Sequence, residues 1–419
     1  MHPGALLDLA AALLREVLAF DAPADGVVSA FLRRHRQLGA RERHALAETT
    51  YAVLRERLLL QHLAQSGRGP LERRLAALGW RGDATVLERA LEPAEREWLA
   101  QVRAVDRAAL PDKLRHNLPD WIAQALRAQL GDDGFWPLAA ALLEPAPLDL
   151  RVNVLKARRD AVQAALAALG IDAVPTPYSP WGLRVQGKPA LQKTPPFLAG
   201  EVEVQDEGSQ LLALLTGARR GEMVVDFCAG AGGKTLALGA MMRSTGRLYA
   251  FDVSASRLEA LKPRLARSGL SNVHPVRIAH ARDERVKRLA GKVDRVLVDA
   301  PCSGLGTLRR NPDLKWRQSP QAVQELAAKQ KAILDAAATL VKPAGRLVYA
   351  TCSLLEAENE AIAADFGARH RDFAALPVAA LLHDAGVADA ESLAAGSHLR
   401  LWPHRHGTDG FFAAVWQRA

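Results

Sequence analysis

Apolar residues recur every three or four positions through the first hundred residues of the chain. One series runs from Leu6 to Val17 and another from Leu46 to Leu63. This spacing is typical of helices that bury one face. Breaks rich in glycine and proline, such as residues 67–70, separate the periodic stretches. The pattern predicts an all-α domain over residues 1–117.

A stretch of different character follows, over residues 118–204. Leu118-Pro119-Asp120 opens a helix, and the β-branched stretch Leu150–Val154 predicts a strand. A second helix is expected over Asp160–Leu169, before a proline-rich run that ends at Pro196. Strands and a helix of this size predict a small α+β module.

From residue 205 to residue 419, short apolar runs alternate with helical patterns. This alternation is typical of an α/β domain with a doubly wound parallel sheet, in which ligands bind beyond the carboxyl ends of the strands. The predicted strands are Met223–Phe227, Arg247–Asp252, Val273–Ile278, Val293–Asp299, Arg346–Thr351 and, closing the chain, Phe411–Trp416.

Charge and cysteine content narrow the class of protein. The 419 residues include 55 Lys and Arg against 46 Asp and Glu, a net charge of +9. Residues 282–317 alone carry ten basic and five acidic side chains. Such a concentration favours a polyanionic partner, although a solvated basic surface is the alternative. The three cysteines exclude a disulfide scaffold and include no C-x-x-C pair.

The ends and the hydropathy predict where the protein works. Asp8, Arg15 and Glu16 interrupt the apolar N-terminal stretch, so we do not expect a secretion signal. No window approaches the ~18 consecutive apolar residues that a membrane span needs. We therefore expect a cytoplasmic protein without a membrane partner.

A glycine-rich turn joins the first predicted strand of the α/β domain to its helix. A P-loop would need glycine where Cys228 stands, and a G-x-G-x-x-G motif would need it at Thr235. A nucleoside-binding turn remains, because Asp252 ends the next strand 20 residues after Gly232 and can bind both hydroxyls of a ribose. The alternative is an ordinary tight turn with a capping Asp.

Two cysteines follow two neighbouring predicted strands. Cys302 lies in Asp299-Ala300-Pro301-Cys302-Ser303, and Cys352 in Thr351-Cys352-Ser353. A free cysteine is most often a buried small hydrophobe. Two thiols at the ligand-binding edge of one sheet instead suit addition to C6 of a pyrimidine, which makes C5 able to accept an electrophilic methyl group. Asp299 could contact the N3/N4 edge of the ring.

These motifs give a specific resemblance. Asp299–Gly304, Arg309–Trp316 and Tyr349–Ser353 resemble the RsmB/NOP family of RNA cytosine-C5 methyltransferases. The resemblance implies a Rossmann-like class I methyltransferase sheet, S-adenosylmethionine as methyl donor, and a NusB-like RNA-binding fold for the N-terminal helices. It implies that Cys352 is the nucleophile and that Cys302 releases the product; the residues alone do not choose between the two.

The resemblance also places the remaining site residues. It implies RNA binding downstream of the Pro-Cys loop and cofactor binding at the glycine-rich turn, where the family pattern Cys-Ala-Ala-Pro-Gly-Gly-Lys is here Cys-Ala-Gly-Ala-Gly-Gly-Lys. The expected RNA-binding residues are Arg309, Arg310, Lys315 and Arg317. The expected cofactor-binding residues are Cys228, Ala229, Gly230, Ala231, Gly232, Gly233, Lys234, Asp252 and Asp299.

The sequence therefore predicts a monomeric enzyme that methylates C5 of a cytosine in RNA. Small-subunit (16S) rRNA, free or in an assembly intermediate, is the expected substrate, because the target base must be unstacked. A tRNA methyltransferase and a DNA cytosine methyltransferase share the chemistry. An RNA-binding ribosome assembly factor without methyltransferase activity is the alternative from another class.

Overall fold

The computed structural model describes residues 2–419, which fall into two compact units. The helical unit extends to Pro145 and also includes Thr307–Ser319. The sheet unit comprises Ala146–Gly306 and Pro320–Ala419. The three predicted domains are thus grouped differently: residues 118–145 join the N-terminal helices, and the rest of the small module joins the sheet.

The helical unit has the all-α character that the apolar periodicity predicts. Leu7, Leu13 and Leu14 of its first helix are fully buried and pack with residues such as Val53 and Leu75. Its helices are α1 (Pro3–Val17), α2 (Ala24–Arg34), α3 (Ala40–Arg55), α4 (Arg57–Ala64), α5 (Leu71–Leu78), α6 (Ala84–Ala90), α7 (Pro93–Arg103), α8 (Asp112–His116) and α9 (Asp120–Leu143), the last broken at Gly131.

A small antiparallel sheet opens the sheet unit, in the strand order β2-β3-β1-β4. Its buried Asp149 pairs with Arg184 at 2.8 Å, and its Glu203 pairs with Arg264 of a later helix at 3.0 Å. The first ion pair joins β1 to β3 within the module, and the second ties the module to the rest of the unit. Its elements are β1 (Leu148–Val152), α10 (Arg159–Ala167), β2 (Ala173–Pro175), β3 (Gly182–Val185), α11 (Pro195–Leu198) and β4 (Val202–Val204).

Nine further strands form the main sheet, flanked by helices. The strands are β5 (Met223–Asp226), β6 (Arg247–Asp252), β7 (Val273–Arg277), β8 (Val293–Asp299), β9 (Val341–Thr351), β10 (Phe373–Ala375), β11 (Ala394–Ala395), β12 (His398–Leu401) and β13 (Phe411–Arg418). The helices are α12 (Glu207–Leu215), α13 (Gly233–Met241), α14 (Ala255–Ser268), α15 (Glu284–Lys287), α16 (Leu314–Arg317, in the helical unit), α17 (Pro320–Ala338), α18 (Glu360–Arg369), α19 (Val378–Asp384) and α20 (Pro403–His406).

The strand order is β11-β12-β13-β9-β8-β5-β6-β7, with β10 paired to β13. The five strands from β9 to β7 are parallel. The chain proceeds from β5 to one side of the sheet and returns to β8 on the other. This reversal between β5 and β8 is a topological switch point, where doubly wound sheets bind their ligands.

The predicted parallel sheet is confirmed for the five strands from β9 to β7, whereas the closing strand departs from it. The closing strand β13 runs antiparallel to β9, from Phe412 opposite Thr351 to Gln417 opposite Arg346. The loop between β12 and β13 is too short for the crossover that a parallel neighbour needs, so these two strands also pair antiparallel.

None of the helices within residues 2–419 combines the length and the apolar character needed to cross a membrane.

Candidate active site

The glycine-rich turn leaves β5 at the switch point and leads into α13. Gly230 and Gly232 adopt left-handed backbone conformations, with φ of 55° and 84°. A Cβ at Gly232 would collide with Leu261, whereas one at Gly230 would meet nothing within 4 Å. The amide of Gly230 donates to Asp252 at 2.8 Å. The structure therefore brings together the turn and the strand-end carboxylate that the sequence analysis paired.

Asp226 and Cys228, at the start of this turn, have shifted pKa values. Burial raises the pKa of Asp226 to about 7. The hydrogen bond of 2.7 Å that it accepts from the Thr235 hydroxyl lowers the pKa, but burial has the larger effect. The second oxygen of Asp226 has no hydrogen-bond partner among residues 2–419. Burial also raises the pKa of the Cys228 thiol. Cys228 is therefore not an activated nucleophile, because nucleophilic cysteines need a lowered pKa.

Lys234 and Asp299 link the helix after β5 to the end of β8. The Lys234 ammonium donates to Asp299 at 2.7 Å, and the two side chains are 11% and 29% exposed. Burial lowers the pKa of Lys234, but the charge of Asp299 and this hydrogen bond outweigh it, and the net pKa is raised. The ammonium also interacts electrostatically with Cys352. Lys234 is therefore a cation within the site.

The two remaining thiols meet at the same edge of the sheet. The sulfur atoms of Cys302 and Cys352 lie 3.4 Å apart. Asp299 of β8 pairs in parallel register with Ala350 of β9, so the loops that carry the two cysteines leave the sheet side by side. The hydrogen bond with Cys352, together with burial, raises the pKa of Cys302. Cys302 is therefore held as a neutral thiol against its partner.

The sequence analysis missed a buried carboxylate beside these loops. Glu358 is fully buried and accepts hydrogen bonds from the hydroxyls of both Ser303 and Ser353. It is followed by Asn359, which is also fully buried. The sequence does offer one clue, because an acidic residue lies six positions after Cys352, in the segment that follows β9.

The prediction that Lys315 binds RNA is contradicted by its burial. The side chain belongs to the helical unit, is 2% exposed, and donates to the carbonyl of Arg55 at 2.7 Å. Its neighbour Trp316 donates to the carbonyl of Leu54 at 2.8 Å. Lys315 therefore anchors its segment to α3 and does not offer its ammonium to a ligand.

The three arginines that were predicted to bind RNA lie in the same segment as Lys315, Thr307–Ser319, and are less buried than Lys315. The backbone carbonyl of Arg309 accepts from Arg55 at 3.0 Å, and its guanidinium donates to the carbonyl of Pro145 at 3.2 Å. Arg310 is half-buried, and Arg317 is exposed with an ion pair to Asp313 at 3.5 Å. Arg310 and Arg317 thus remain candidates for contact with RNA.

Comparisons with known proteins agree with this geometry. A family model described as 16S rRNA methyltransferase RsmB/F matches residues 213–417, and one for the ferredoxin-like domain of RsmF/B-like methyltransferases matches residues 118–192. The crystal structure of PH0851 is 25% identical, with a TM-score of 0.81 over 100% of this chain and 99% of that chain.

Two curated relatives are similar over most of their length. A Synechocystis protein named probable ribosomal RNA small subunit methyltransferase B is 37% identical over 73% of this chain and 68% of its own. A Bacillus subtilis protein of the same name is 31% identical over 80% of this chain and 74% of its own. The catalytic fold, the cysteine pair and these matches lead to one conclusion: the chain belongs to the RsmB/F family of 16S rRNA methyltransferases.

Proposed function

We propose that this protein transfers a methyl group from S-adenosylmethionine to C5 of a cytosine in 16S rRNA, through a covalent bond between Cys352 and C6 of the base. The observation that carries the proposal is the 3.4 Å separation of the Cys302 and Cys352 sulfurs at the carboxyl edge of the sheet. The names of the family model and of the relatives support rRNA as the substrate class.

The residues around the glycine-rich turn fit S-adenosylmethionine. Gly230 and Gly232 let the backbone approach a ligand closely. Asp252 is an acceptor for ribose hydroxyls, and the unpartnered oxygen of Asp226 is an acceptor for the ammonium of the methionine part. When bound, the cofactor supplies an electrophilic methyl group. Cys228, Ala229, Ala231 and Gly233 would contribute the backbone of the same turn.

The cysteines divide the reaction between them. The Cys352 thiolate adds to C6, and C5 then has the electron density to take the methyl group. The proton at C5 must then pass to a base, here Cys302 once its own thiol has lost a proton to solvent. The bond between sulfur and C6 then breaks and the Cys352 thiolate is restored. We assign this release step to Cys302, whose sulfur contacts that of Cys352. The pair thus performs addition and elimination at a single place.

Asp299 orients the base within this scheme. Its oxygen Oδ2 accepts from Lys234, and its other oxygen is an acceptor for the amino group at C4 of cytosine. A hydrogen bond to an ionised acceptor is stronger than one between neutral groups. Asp299 would therefore favour cytosine over uracil, which has a carbonyl at this position.

The helical unit supplies a second contact with RNA in this proposal. Its all-α architecture supports the predicted NusB-like RNA-binding domain over residues 1–117. Arg310 and Arg317, in the segment Thr307–Ser319, add positive charge to the same unit. Contacts of Arg with phosphate provide affinity without reading sequence, so site selection would depend on RNA shape and on the unstacked base.

Transfer of radiolabelled methyl groups from S-adenosylmethionine tests the proposal. Purified protein is offered an unmodified 16S rRNA transcript, a tRNA transcript and duplex DNA. The proposal predicts label in 16S rRNA alone. Label mainly in tRNA or in DNA would identify that nucleic acid as the substrate in place of 16S rRNA. RNA binding without any methyl transfer would favour a ribosome assembly factor.

A further inference from the structure

A single buried carboxylate connects the two loops that carry the paired cysteines. Glu358 is fully buried, and its oxygens accept four hydrogen bonds. Oε1 accepts from the backbone amide of Ser303 at 2.8 Å and from the Gln330 amide at 3.0 Å. Oε2 accepts from the hydroxyls of Ser303 and Ser353, each at 2.5 Å. Hydrogen bonds in a buried, low-dielectric environment are stronger than the same bonds in water.

The two serines are the residues that directly follow the two cysteines. Ser303 follows Cys302, Ser353 follows Cys352, and the two hydroxyl oxygens lie 3.1 Å apart. Each thiol is therefore one peptide unit away from a group bound to the same carboxylate. Any backbone movement that separates the two loops at these serines must stretch or break hydrogen bonds to Glu358.

Neighbouring amides hold the residues on the other side of each cysteine. Gln330 donates to the carbonyl of Pro301, just before Cys302, at 3.0 Å. Asn359 accepts from the Thr351 hydroxyl at 2.5 Å and donates to the Ser353 carbonyl at 3.0 Å, on either side of Cys352. Both cysteine loops are thus bracketed by buried hydrogen bonds that converge on Glu358 and its neighbours.

We propose that Glu358 is a positioning residue that holds the sulfurs of Cys302 and Cys352 in contact by bridging the serines that follow them. This inference deepens the proposed function, since it assigns a cause to the alignment that addition and elimination need. A misplacement of about 1 Å in a reacting group can cost on the order of a hundredfold in rate.

The first test measures the thiol pair without any methylation. The full-length protein is equilibrated with oxidised and reduced glutathione. One oxidised glutathione becomes two reduced molecules as the two thiols of Cys302 and Cys352 become a disulfide, which peptide mass spectrometry quantifies. We expect the effective concentration of one thiol relative to the other to be high in the wild-type protein. The same effective concentration should be at least about tenfold lower in Glu358→Gln and Glu358→Ala.

A matched control separates positioning from loss of a buried acid. Glu207 is also fully buried in the sheet unit, and its carboxylate accepts from the amides of Tyr178 and Ser179. Glu207→Gln should lower the thermal midpoint and leave the thiol equilibrium at the wild-type value. Where the Glu358 variants do not fold, Ser303→Ala with Ser353→Ala removes both hydroxyl bonds to Glu358 and keeps only the Ser303 amide bond, and it should show a decrease in the same direction.

The second test is kinetic. Glu358→Gln should lower kcat for methyl transfer at least about tenfold while the KM values for RNA and S-adenosylmethionine stay within about twofold, because the residue contacts neither. A folded Glu358→Gln protein with the wild-type thiol equilibrium would overturn the inference. The inference would also fail if Glu207→Gln changed the thiol equilibrium as much as Glu358→Gln does, or if the wild-type pair formed no disulfide. An inactive wild-type protein that keeps the thiol results would instead count against the proposed function alone.

Discussion

The sulfur atoms of Cys302 and Cys352 lie 3.4 Å apart, although 50 residues separate them in the chain. Adjacent parallel strands explain this, because β8 and β9 end in register with Asp299 opposite Ala350. The carboxyl ends of such strands share one edge of the sheet. The sheet thereby brings two thiols that are remote in the sequence into contact.

Replacement of each cysteine should have opposite effects on the covalent bond to RNA. In Cys302→Ala, addition by Cys352 proceeds and release fails, so a protein–RNA adduct should accumulate. Cys352→Ala should form no adduct. Denaturing gel electrophoresis with end-labelled RNA detects the shifted band. An adduct in Cys352→Ala, with none in Cys302→Ala, would exchange the two roles.

Loss of the Lys234 ammonium should slow methyl transfer. In Lys234→Met the Asp299 carboxylate loses its charged partner at 2.7 Å, and we expect kcat to fall about 10- to 100-fold, the effect of removing one charged hydrogen bond. Lys262→Met is the control, because its ion pair with Glu259 is well exposed. Steady-state kinetics with labelled cofactor would contradict the assignment if both variants kept the wild-type kcat.

Two glycines of the turn after β5 should tolerate alanine differently. Gly232→Ala introduces a Cβ that collides with Leu261 at a left-handed residue, and we expect binding of S-adenosylmethionine to weaken beyond detection or the unit to unfold. In Gly230→Ala the left-handed conformation costs about 1–2 kcal/mol. A free turn that relaxes must recover this cost on binding, so the Kd should rise by at most about five- to thirtyfold. Isothermal titration calorimetry compares them, and equal Kd values would refute the difference.

Burial of Lys315 should make the stability of the helical unit depend on pH. Burial lowers the pKa of Lys315 to about 7, whereas an unfolded lysine titrates near 10.4. Between these values the unfolded chain binds the proton that the folded chain releases. The unfolding free energy should therefore rise with pH from about 7 to about 10, by up to about 1.4 kcal/mol per pH unit, and this contribution should be flat below pH 7.

Lys315→Met should remove the part of the rise in unfolding free energy, from about pH 7 to about pH 10, that Lys315 contributes. The methionine keeps much of the buried volume and carries no charge to desolvate. Lys113→Met is the control, since Lys113 is 52% exposed and pairs with Asp120 at the surface. Urea denaturation at several pH values measures both. A Lys315→Met slope equal to that of the wild type would show that the lysine does not titrate in this range.

The parts of the fold that depend on local pattern were predictable. The bounds of β6 and β8 agree with the apolar runs that predicted them, and the strand ends place Cys302 and Cys352 together. The antiparallel edge was not predictable from alternation alone, because the direction of β13 depends on the connection that precedes it.

Features that depend on distant partners could not be predicted from the sequence. Lys315 is basic and follows the Pro-Cys loop, yet its acceptor is the carbonyl of Arg55, 260 residues away. The role proposed for Glu358 depends on Ser303, Gln330 and Ser353, which come from three separate segments. Only the folded chain shows which polar side chains are buried together.

Bisulfite sequencing of 16S rRNA tests the central claim most directly, because 5-methylcytosine resists conversion. RNA is compared from cells with the gene, cells without it, and cells that carry Cys352→Ala in its place. The proposed function predicts a cytosine that is protected only in cells with the wild-type gene. The same protection in all three strains, or in none, would contradict it.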